Sequence, residues 1–482
     1  MEGTKLDLSA LEPKLLAAVR KIAELVRAAG GRALMVGGSV RDLLLGGLAV
    51  KDVDLEVFGL SADRLQQVVG AAFGYDACGL SFGVLKVKHY DIDIALPRRE
   101  SKRGTGHRGF LIDADPDLSV PEAASRRDFT VNAMYYDPLE DRFEDPYGGV
   151  ADLRNRVLRH VSPKFVEDPL RVLRGMQFVA RFGLEPAPET VDVCRTMTTE
   201  GLPPERLFEE WAKLFTKGVH LGKGLAFLRA TGWTKYFPEL ERLIGCEQDP
   251  GWHPEGDVWN HTCLCLDAFA RRRDERGRDA EEDVVVGLAV LCHDFGKPFT
   301  TVYDPVKGRV RSPGHDVAGV EPTLSFLRRL TNEQRLLNEV PPLVREHMQP
   351  YAMWKGKVGD AAVRRLATRV RRIDRLIRVC HADDEGRPPE CRGGSSAGAD
   401  LKWLEETAER LRIAAEVPKP ILMGRHLIAM GYKPSGKFKV WLDACYEAQL
   451  DGKFGDLEGA TAYCREHVEG RSPVADSFLA SF

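Results

Sequence analysis

Two carboxylates two residues apart, Asp52 and Asp54, and a glycine pair upstream of them, Gly37 and Gly38, are the residues best suited to chemistry in this chain. In a strand, alternate residues project to one face, so Asp52 and Asp54 present paired hard oxygen ligands. Such a pair suits Mg2+, and ions held there can clamp the attacking and leaving oxygens of a phosphoryl transfer. The glycines precede Ser39, Arg41 and Asp42, at the start of a predicted helix. Its unpaired amide groups and its dipole favour an anion such as a triphosphate. Each half alone is weak, since a glycine pair is most often only a turn and an Asp-x-Asp only a solvated strand end.

Several elements must position these groups. Residues 33–36 read as a buried strand, the glycines turn the backbone tightly, and 39–45 start a helix. Leu11, Leu15, Val19, Ile22, Leu25 and Val26 recur at helical spacing and predict an amphipathic helix ending at Gly30 and Gly31. Residues 62–73 read as a helix, and 85–89 and 91–96 as strands. The second of these strands alternates, which brings Asp93 beside Asp52 and Asp54 as a third carboxylate. Residues 98–109 are basic and glycine-rich without periodicity, and read as a mobile loop.

A chain of 482 residues with 43% hydrophobic content has the material for roughly three or four domains. Its net charge of −3 does not point to nucleic acid, although local basic runs can still form a binding face. The ten cysteines stand singly apart from Cys263 and Cys265, with no Cys-x-x-Cys pair and no secretory signal. Reduced, mostly buried thiols in a cytoplasmic protein are expected. No apolar run approaches the roughly 20 residues that a membrane helix needs, so no membrane partner is expected.

Further motifs follow in order. Arg126, Arg127 and Asp128 precede Asn132; forked arginine donors suit phosphate, and Asn132 can bond a ribose hydroxyl or orient its neighbours. Over 164–182, Asp168 can cap a helix with Pro169 in its first position, leaving Arg171, Arg174 and Arg181 as surface charges. Alternatively, Asp168 and Arg171 share a helical face and offer an acceptor and donors to the edge of a nucleobase.

In this order, the motifs resemble those of class II tRNA nucleotidyltransferases and bacterial poly(A) polymerases, within the superfamily of DNA polymerase β. The resemblance implies an α+β fold: a polymerase-β-like nucleotidyltransferase head, a small mixed sheet with helices, followed by all-α neck, HD and tail domains. The expected divisions are head 1–150, neck with a base-selecting template 151–244, HD domain 245–390 and tRNA-binding tail 391–482. It implies Asp52, Asp54 and Asp93 as catalytic residues, the first two holding Mg2+. It implies nucleotide binding by Gly37, Gly38, Ser39, Arg41, Asp42, Arg126, Arg127, Asp128, Asn132, Asp168, Arg171 and Arg174. Asp168 and Arg171 would contact the incoming base while Glu167 braces the arginine, and the motif at 204–211 would stabilise this helix. The segment 98–109 resembles the flexible loop used in switching from C to A, and its presence argues against CC-only relatives.

Beyond residue 245 the histidines change character. His293 and Asp294 end an apolar stretch and precede Gly296 and Lys297, and imidazole with carboxylate is suitable ligation for a first-row divalent metal. With the residues around them they resemble an HD phosphohydrolase domain. The resemblance implies His261, His293, Asp294 and Asp383 as primary ligands, with His315 and His347 available to a second ion; the metal and the phosphoester are left open. His381 falls on a different helical face from Asp383. In the tail, Lys433, Lys437 and Lys439 with interleaved Tyr432, Phe438 and Trp441 resemble a segment that meets an RNA backbone.

The implied function is addition of C, C and A to tRNA 3′ ends from CTP and ATP, with a second, phosphohydrolase activity. A-adding enzymes and poly(A) polymerases share these head motifs, though no long, strongly basic C-terminal extension is present. An HD phosphohydrolase using the head only to recognise nucleotides, and an RNA-binding protein with an inactive head, are the readings from other classes. Intact Asp52 and Asp54 speak against the last. The sequence does not fix an oligomeric state.

Overall fold

The computed structural model describes residues 6–46, 50–76, 84–102, 110–391 and 398–468, within two compact units, Met1–Phe237 and Pro238–Phe482. The strands of the first unit's head are β1 (Arg32–Val36), β2 (Val53–Phe58), β3 (Tyr75–Asp76), β4 (Val84–Val87), β5 (Ile92–Ala95), β6 (Arg98–Lys102), β7 (Phe110–Ala114), β8 (Tyr135–Asp137) and β9 (Arg142–Glu144). Seven form one mixed sheet in the order β3-β4-β5-β2-β1-β8-β9. Its parallel pair is β2 with β5, and that register sets Asp54 opposite Asp93. Neighbouring strands in register project the same face, so the third carboxylate arrives where the alternation predicts it.

The sheet is anchored by the sequence patterns that precede it. Helix Pro13–Ala28 buries Leu15, Val19, Ile22 and Val26 on one stripe and packs on β1. Each such side chain contributes about 1.5–3 kcal/mol by leaving water. In β2, Val53, Leu55 and Val57 face inward as alternation requires. Glu56 breaks the pattern by being buried too, at 1% exposure.

The segment expected as a loop over 98–109 is partly regular. Residues 98–102 form β6, paired antiparallel with β7 in a separate two-stranded ribbon; 103–109 lie outside the described residues. A ribbon of this kind is held by main-chain hydrogen bonds, which charged residues supply as well as apolar ones, so it leaves no hydrophobic alternation in the sequence.

Helices Leu170–Phe182, Pro204–Lys217 and Leu221–Ala230 follow and pack on one another. Glycine at 224 is required by that packing, because a Cβ there would stand 2.9 Å from the Met176 carbonyl.

The second unit is mainly helical. Helix Val258–Arg276 packs along Ile373–Gly386, and both pack on Ala280–Cys292, which is buried from Asp283 to Cys292. It is not purely helical: Val302–Asp304 and Arg309–Arg311 form a short antiparallel hairpin. Near its end, Leu422, Leu427, Trp441, Cys445, Ala460 and Cys464 make a small core. Tyr432 and Phe438 pack against Trp441, with ring centroids 5.1 and 6.3 Å away. Of these aromatics, expected to meet RNA, Trp441 is buried in the core and Tyr432 and Phe438 are half-buried against it, whereas Lys433, Lys437 and Lys439 remain exposed.

Candidate nucleotide cleft and metal centre

The turn between β1 and helix Gly38–Leu45 is made by Gly37 at φ 77°, a backbone conformation that favours glycine. A Cβ at Gly37 would lie 3.5 Å from both Asp54 Oδ2 and Arg127 Nη1. The turn, the acidic strand and an arginine thus meet at one point. They open on a cleft of about 260 Å3 whose lining includes Gly37, Gly38, Arg41, Asp54, Arg127, Asp128, Asn132 and Arg174. Gln177, Phe178, Arg181, Lys213 and Lys217, none of them anticipated as contacts, complete the wall. Lys213 and Lys217 lie on helix Pro204–Lys217, where only a supporting role was expected.

Desolvation by the cleft walls raises the pKa of Asp54; Arg127 opposes the rise, while Asp52, Asp93 and Glu56 add to it. Three carboxylates that repel one another beside a cationic wall are a donor set that fits a divalent cation.

The cations of the wall are held from behind. Arg126 and Arg127 donate to Glu56 at 2.7 and 3.1 Å, and the Tyr135 hydroxyl donates to the same carboxylate at 2.6 Å. Although burial opposes it, these arginines hold Glu56 down at about 2. Asp128 is likewise held at about 2 against its burial, by Arg174 and by Asn132. Asn132 in turn accepts from Arg41, whose guanidinium stacks on Phe178 and Phe182. Glu56 and Tyr135 are the functional residues that sequence reasoning missed. The period-two spacing of Asp52, Asp54 and Glu56 was the available signal, whereas Tyr135 had none.

Several expected nucleotide contacts do not line this cleft. Ser39 turns its hydroxyl back to the Val36 carbonyl, and Asp42 pairs with Arg41 and Arg181. Arg126 is engaged by Glu56 on the buried side. Arg171 is buried and donates to the carbonyls of Lys164 and Arg126, at 2.8 and 2.6 Å, so main chain rather than Glu167 fixes it. Asp168 accepts from the Leu170 amide and pairs with Arg206 at 3.5 Å. Arg174, one turn beyond Arg171, does reach the cleft, together with Gln177, Phe178 and Arg181 of the same helix.

In the second unit, all six expected ligands converge. His261 Nε2 lies 3.0 Å from Asp383 Oδ1, and His293 Nε2 lies 3.2 Å from Asp294 Oδ2. His315 Nε2 lies 3.5 Å from Asp294 Oδ1 and 3.2 Å from His347 Nε2. Each imidazole is oriented through its other nitrogen. Nδ1 of His293, His315 and His347 donates to the carbonyls of Val290, Ser312 and Val344, and Nδ1 of His261 faces Glu255 at 2.8 Å. That tautomer leaves the Nε2 lone pairs directed at the centre.

Burial would depress His293, yet Asp294 and Asp383 push it up to about 9. Burial, with His293 and His315 nearby, drops His347 to about 4. His293 Nε2 is buried without a hydrogen-bond partner. Inward-facing imidazole nitrogens among buried carboxylates fit a first-row divalent ion, which would take the place of the proton on His293. A cavity of about 850 Å3 opens beside Asp294, Lys297, His315, His347 and Asp383.

Comparison with known proteins bears on the head and on the family of the whole chain. Residues 33–159 match the family described as the Poly A polymerase head domain. The multifunctional CCA protein of Xylella fastidiosa is 36% identical over 373 residues, 74% of this chain and 84% of that protein. The one from Xanthomonas campestris pv. campestris is 38% identical over 391 residues, 78% of this chain and 90% of that protein. Among solved structures, the CCA-adding enzyme of Bacillus stearothermophilus in complex with CTP shares the fold, with a TM-score of 0.62 at 21% identity, covering 94% of this chain and 98% of that one. The Thermotoga maritima CCA-adding enzyme complexed with tRNA gives 0.57 at 20% identity, covering 94% and 97%. With relatives this similar matched over most of their length, and with the head, its cleft and its helical continuation in place, the chain belongs to the class II CCA-adding enzyme family, that of the multifunctional CCA proteins.

Proposed function

We propose that the first unit adds C, C and A in turn to the 3′ end of tRNA, with CTP and ATP as donors. The observation that carries this reading is the meeting of Gly37, Asp54 and Arg127 at one cleft whose other walls are cationic. In each step the tRNA 3′ hydroxyl oxygen bonds to the α-phosphorus, the bond to the bridging oxygen breaks, and pyrophosphate leaves. Asp52, Asp54 and Asp93 hold the divalent cation, which we assign as Mg2+. When bound, it stabilises the charge that develops on the reacting phosphate and the leaving group.

The chain's own residues do the rest. The Gly37-Gly38 turn admits the triphosphate against the helix N-terminus. Arg127, Arg174, Arg181, Lys213 and Lys217 balance its charge, and Arg41 is stacked on Phe178 and Phe182 at the cleft wall. Asp168 and Arg171 supply the acceptor and donors that distinguish C and A, with Arg174 linking that helix to the cleft. The fourfold division into head, neck, HD domain and tail belongs to the same reading, with the exposed tail lysines contacting tRNA.

A second activity, hydrolysis of a phosphoester at the histidine centre, is favoured by the inward-facing Nε2 atoms and by Lys297 on the cavity wall. Incubating the protein with Mg2+, tRNA lacking its 3′ CCA, and labelled CTP and ATP, separately and together, tests the main reading. Incorporation of both, with A following C, is expected. No incorporation overturns it, and ATP addition without CTP addition assigns A-adding or poly(A) activity instead.

A further inference from the structure

Cys265 lies one turn after His261 on helix Val258–Arg276, so both side chains point to the same neighbours. Its thiol is fully buried, 3.4 Å from His261 Nε2 and 3.8 Å from the Asp383 carbonyl oxygen. One ligand atom from each of His261, Cys265, His293 and Asp383 lies within 4.8 Å of all the others. Asp294, His315 and His347 form a second such group. The groups differ in access: Asp294, His315, His347 and Asp383 line the large cavity, whereas His261, Cys265 and His293 lie behind it.

A buried cysteine is ordinarily a small apolar filler. An observation independent of the thiol points to a ligand here. His293 Nε2 belongs to this deep group, its residue is 1% exposed, and it faces the Asp294 and Asp383 carboxylates at 3.2 and 3.8 Å without an aligned hydrogen bond to either. Since His293 Nδ1 donates to the Val290 carbonyl, Nε2 is the nitrogen left to bind an ion, which would displace its proton. Room for the sulfur is also specific, because a Cβ at Gly386 would collide with Sγ. The spacing suits coordination: nitrogen at about 2.0 Å and sulfur at about 2.3 Å from a tetrahedral ion stand about 3.5 Å apart. His261 Nε2 and Cys265 Sγ are separated by 3.4 Å.

We propose that Cys265 is a thiolate ligand of one of two unlike metal positions. The deep position, built from His261, Cys265, His293 and Asp383, takes a thiophilic first-row ion of the Zn2+ or Co2+ class. The position at Asp294, His315 and His347 faces the cavity and keeps room for solvent or substrate. On binding, the thiol proton passes to solvent and the sulfur lone pair bonds the ion. The inference rests on the reading of these histidines as a metal centre.

The test loads the metal-stripped full-length protein with Co2+ and reads both bound metal and absorption. Two ions and a near-ultraviolet thiolate-to-cobalt charge-transfer band are expected. Cys265→Ser should abolish the band and weaken the tighter ion by at least about 10- to 100-fold. Cys263→Ser, changed two residues away on the same helix, should retain the band. X-ray absorption of the Zn2+-loaded wild-type protein needs no variant and should show one sulfur at about 2.3 Å. Co2+ bound without the band, a band that survives Cys265→Ser, or a zinc shell without sulfur overturns the role of Cys265 and leaves the metal centre standing. No Co2+ bound by the wild type overturns both.

Discussion

The cleft of the first unit and the histidine centre of the second solve opposite electrostatic problems. In the cleft, the cations that face the ligand are neutralised from behind by buried carboxylates, Glu56 behind Arg127 and Asp128 behind Arg174. In the histidine centre, the imidazoles are fixed from behind by main-chain carbonyls and Glu255, and at the front Lys297 Nζ lies 2.7 Å from Asp294 Oδ2. The first arrangement suits an anion that must enter and leave at every added nucleotide. The second suits a cation that stays. A charged partner behind a side chain tunes its strength, whereas a neutral carbonyl behind an imidazole chiefly sets its tautomer and direction.

The strongest way to break this comparison is to remove the acidic pair. Asp52→Ala or Asp54→Ala should lower nucleotide incorporation by more than about a thousandfold, the scale on which loss of a preorganised charge-stabilising group acts. Metal binding and phosphoester hydrolysis at the second unit should persist. If hydrolysis falls in parallel, the two sites are not independent.

The reciprocal change is His293→Ala. It removes a buried nitrogen aimed at the centre and should reduce divalent-ion affinity at the second unit by at least about 100-fold, with incorporation of C and A unchanged. Equilibrium dialysis of the metal and the incorporation assay read the two effects separately.

Behind the cleft, Glu56→Gln leaves Arg126 and Arg127 without their buried counter-charge and should destabilise the first unit by about 3–5 kcal/mol. The pH dependence follows from the depressed pKa. Glu56 sits at about 2 in the folded protein against an ordinary 4.5, so its stabilisation is full above the ordinary value. It is lost as pH falls from about 4.5 towards 2. Asp128, also at about 2, acts in the same direction and window. Thermal melts of the wild type should therefore drop steeply across that interval, and those of Glu56→Gln less steeply. Equal slopes would sink the assignment of Glu56 as the ionised partner.

What was legible in the sequence follows the same division. Asp54 and Asp93 could be set side by side because strand alternation is a local rule, and the six candidate metal ligands because their order along the chain resembles an HD domain. Their anchors could not. Val290, Ser312 and Val344 act through main-chain carbonyls, which no side chain records. Tyr135 reaches Glu56 across the sheet and is far from it in sequence. The packing of the tail aromatics was hidden for a related reason: an aromatic beside a lysine looks the same whether its ring faces solvent or packs on Trp441. Burial decides between these, and burial is set by helices that follow later in the chain.

The smallest expected effect concerns Arg171, where the motif and the geometry pull apart. The motif makes Arg171 a base-reading side chain, yet its guanidinium reaches two carbonyls, and one of them belongs to Arg126. A guanidinium has five N–H donors, so two carbonyl bonds leave others for a nucleobase. Lysine at this position keeps the charge but loses the planar fork. Arg171→Lys should therefore change the preference for CTP and ATP over UTP and GTP by about 1–3 kcal/mol, the worth of one bidentate base contact. A purely structural arginine would instead lower incorporation of all four nucleotides by a common factor. Competition assays with mixed nucleotides separate the two results. An unchanged preference would move base selection from Arg171 to Arg174, the neighbour that lines the cleft.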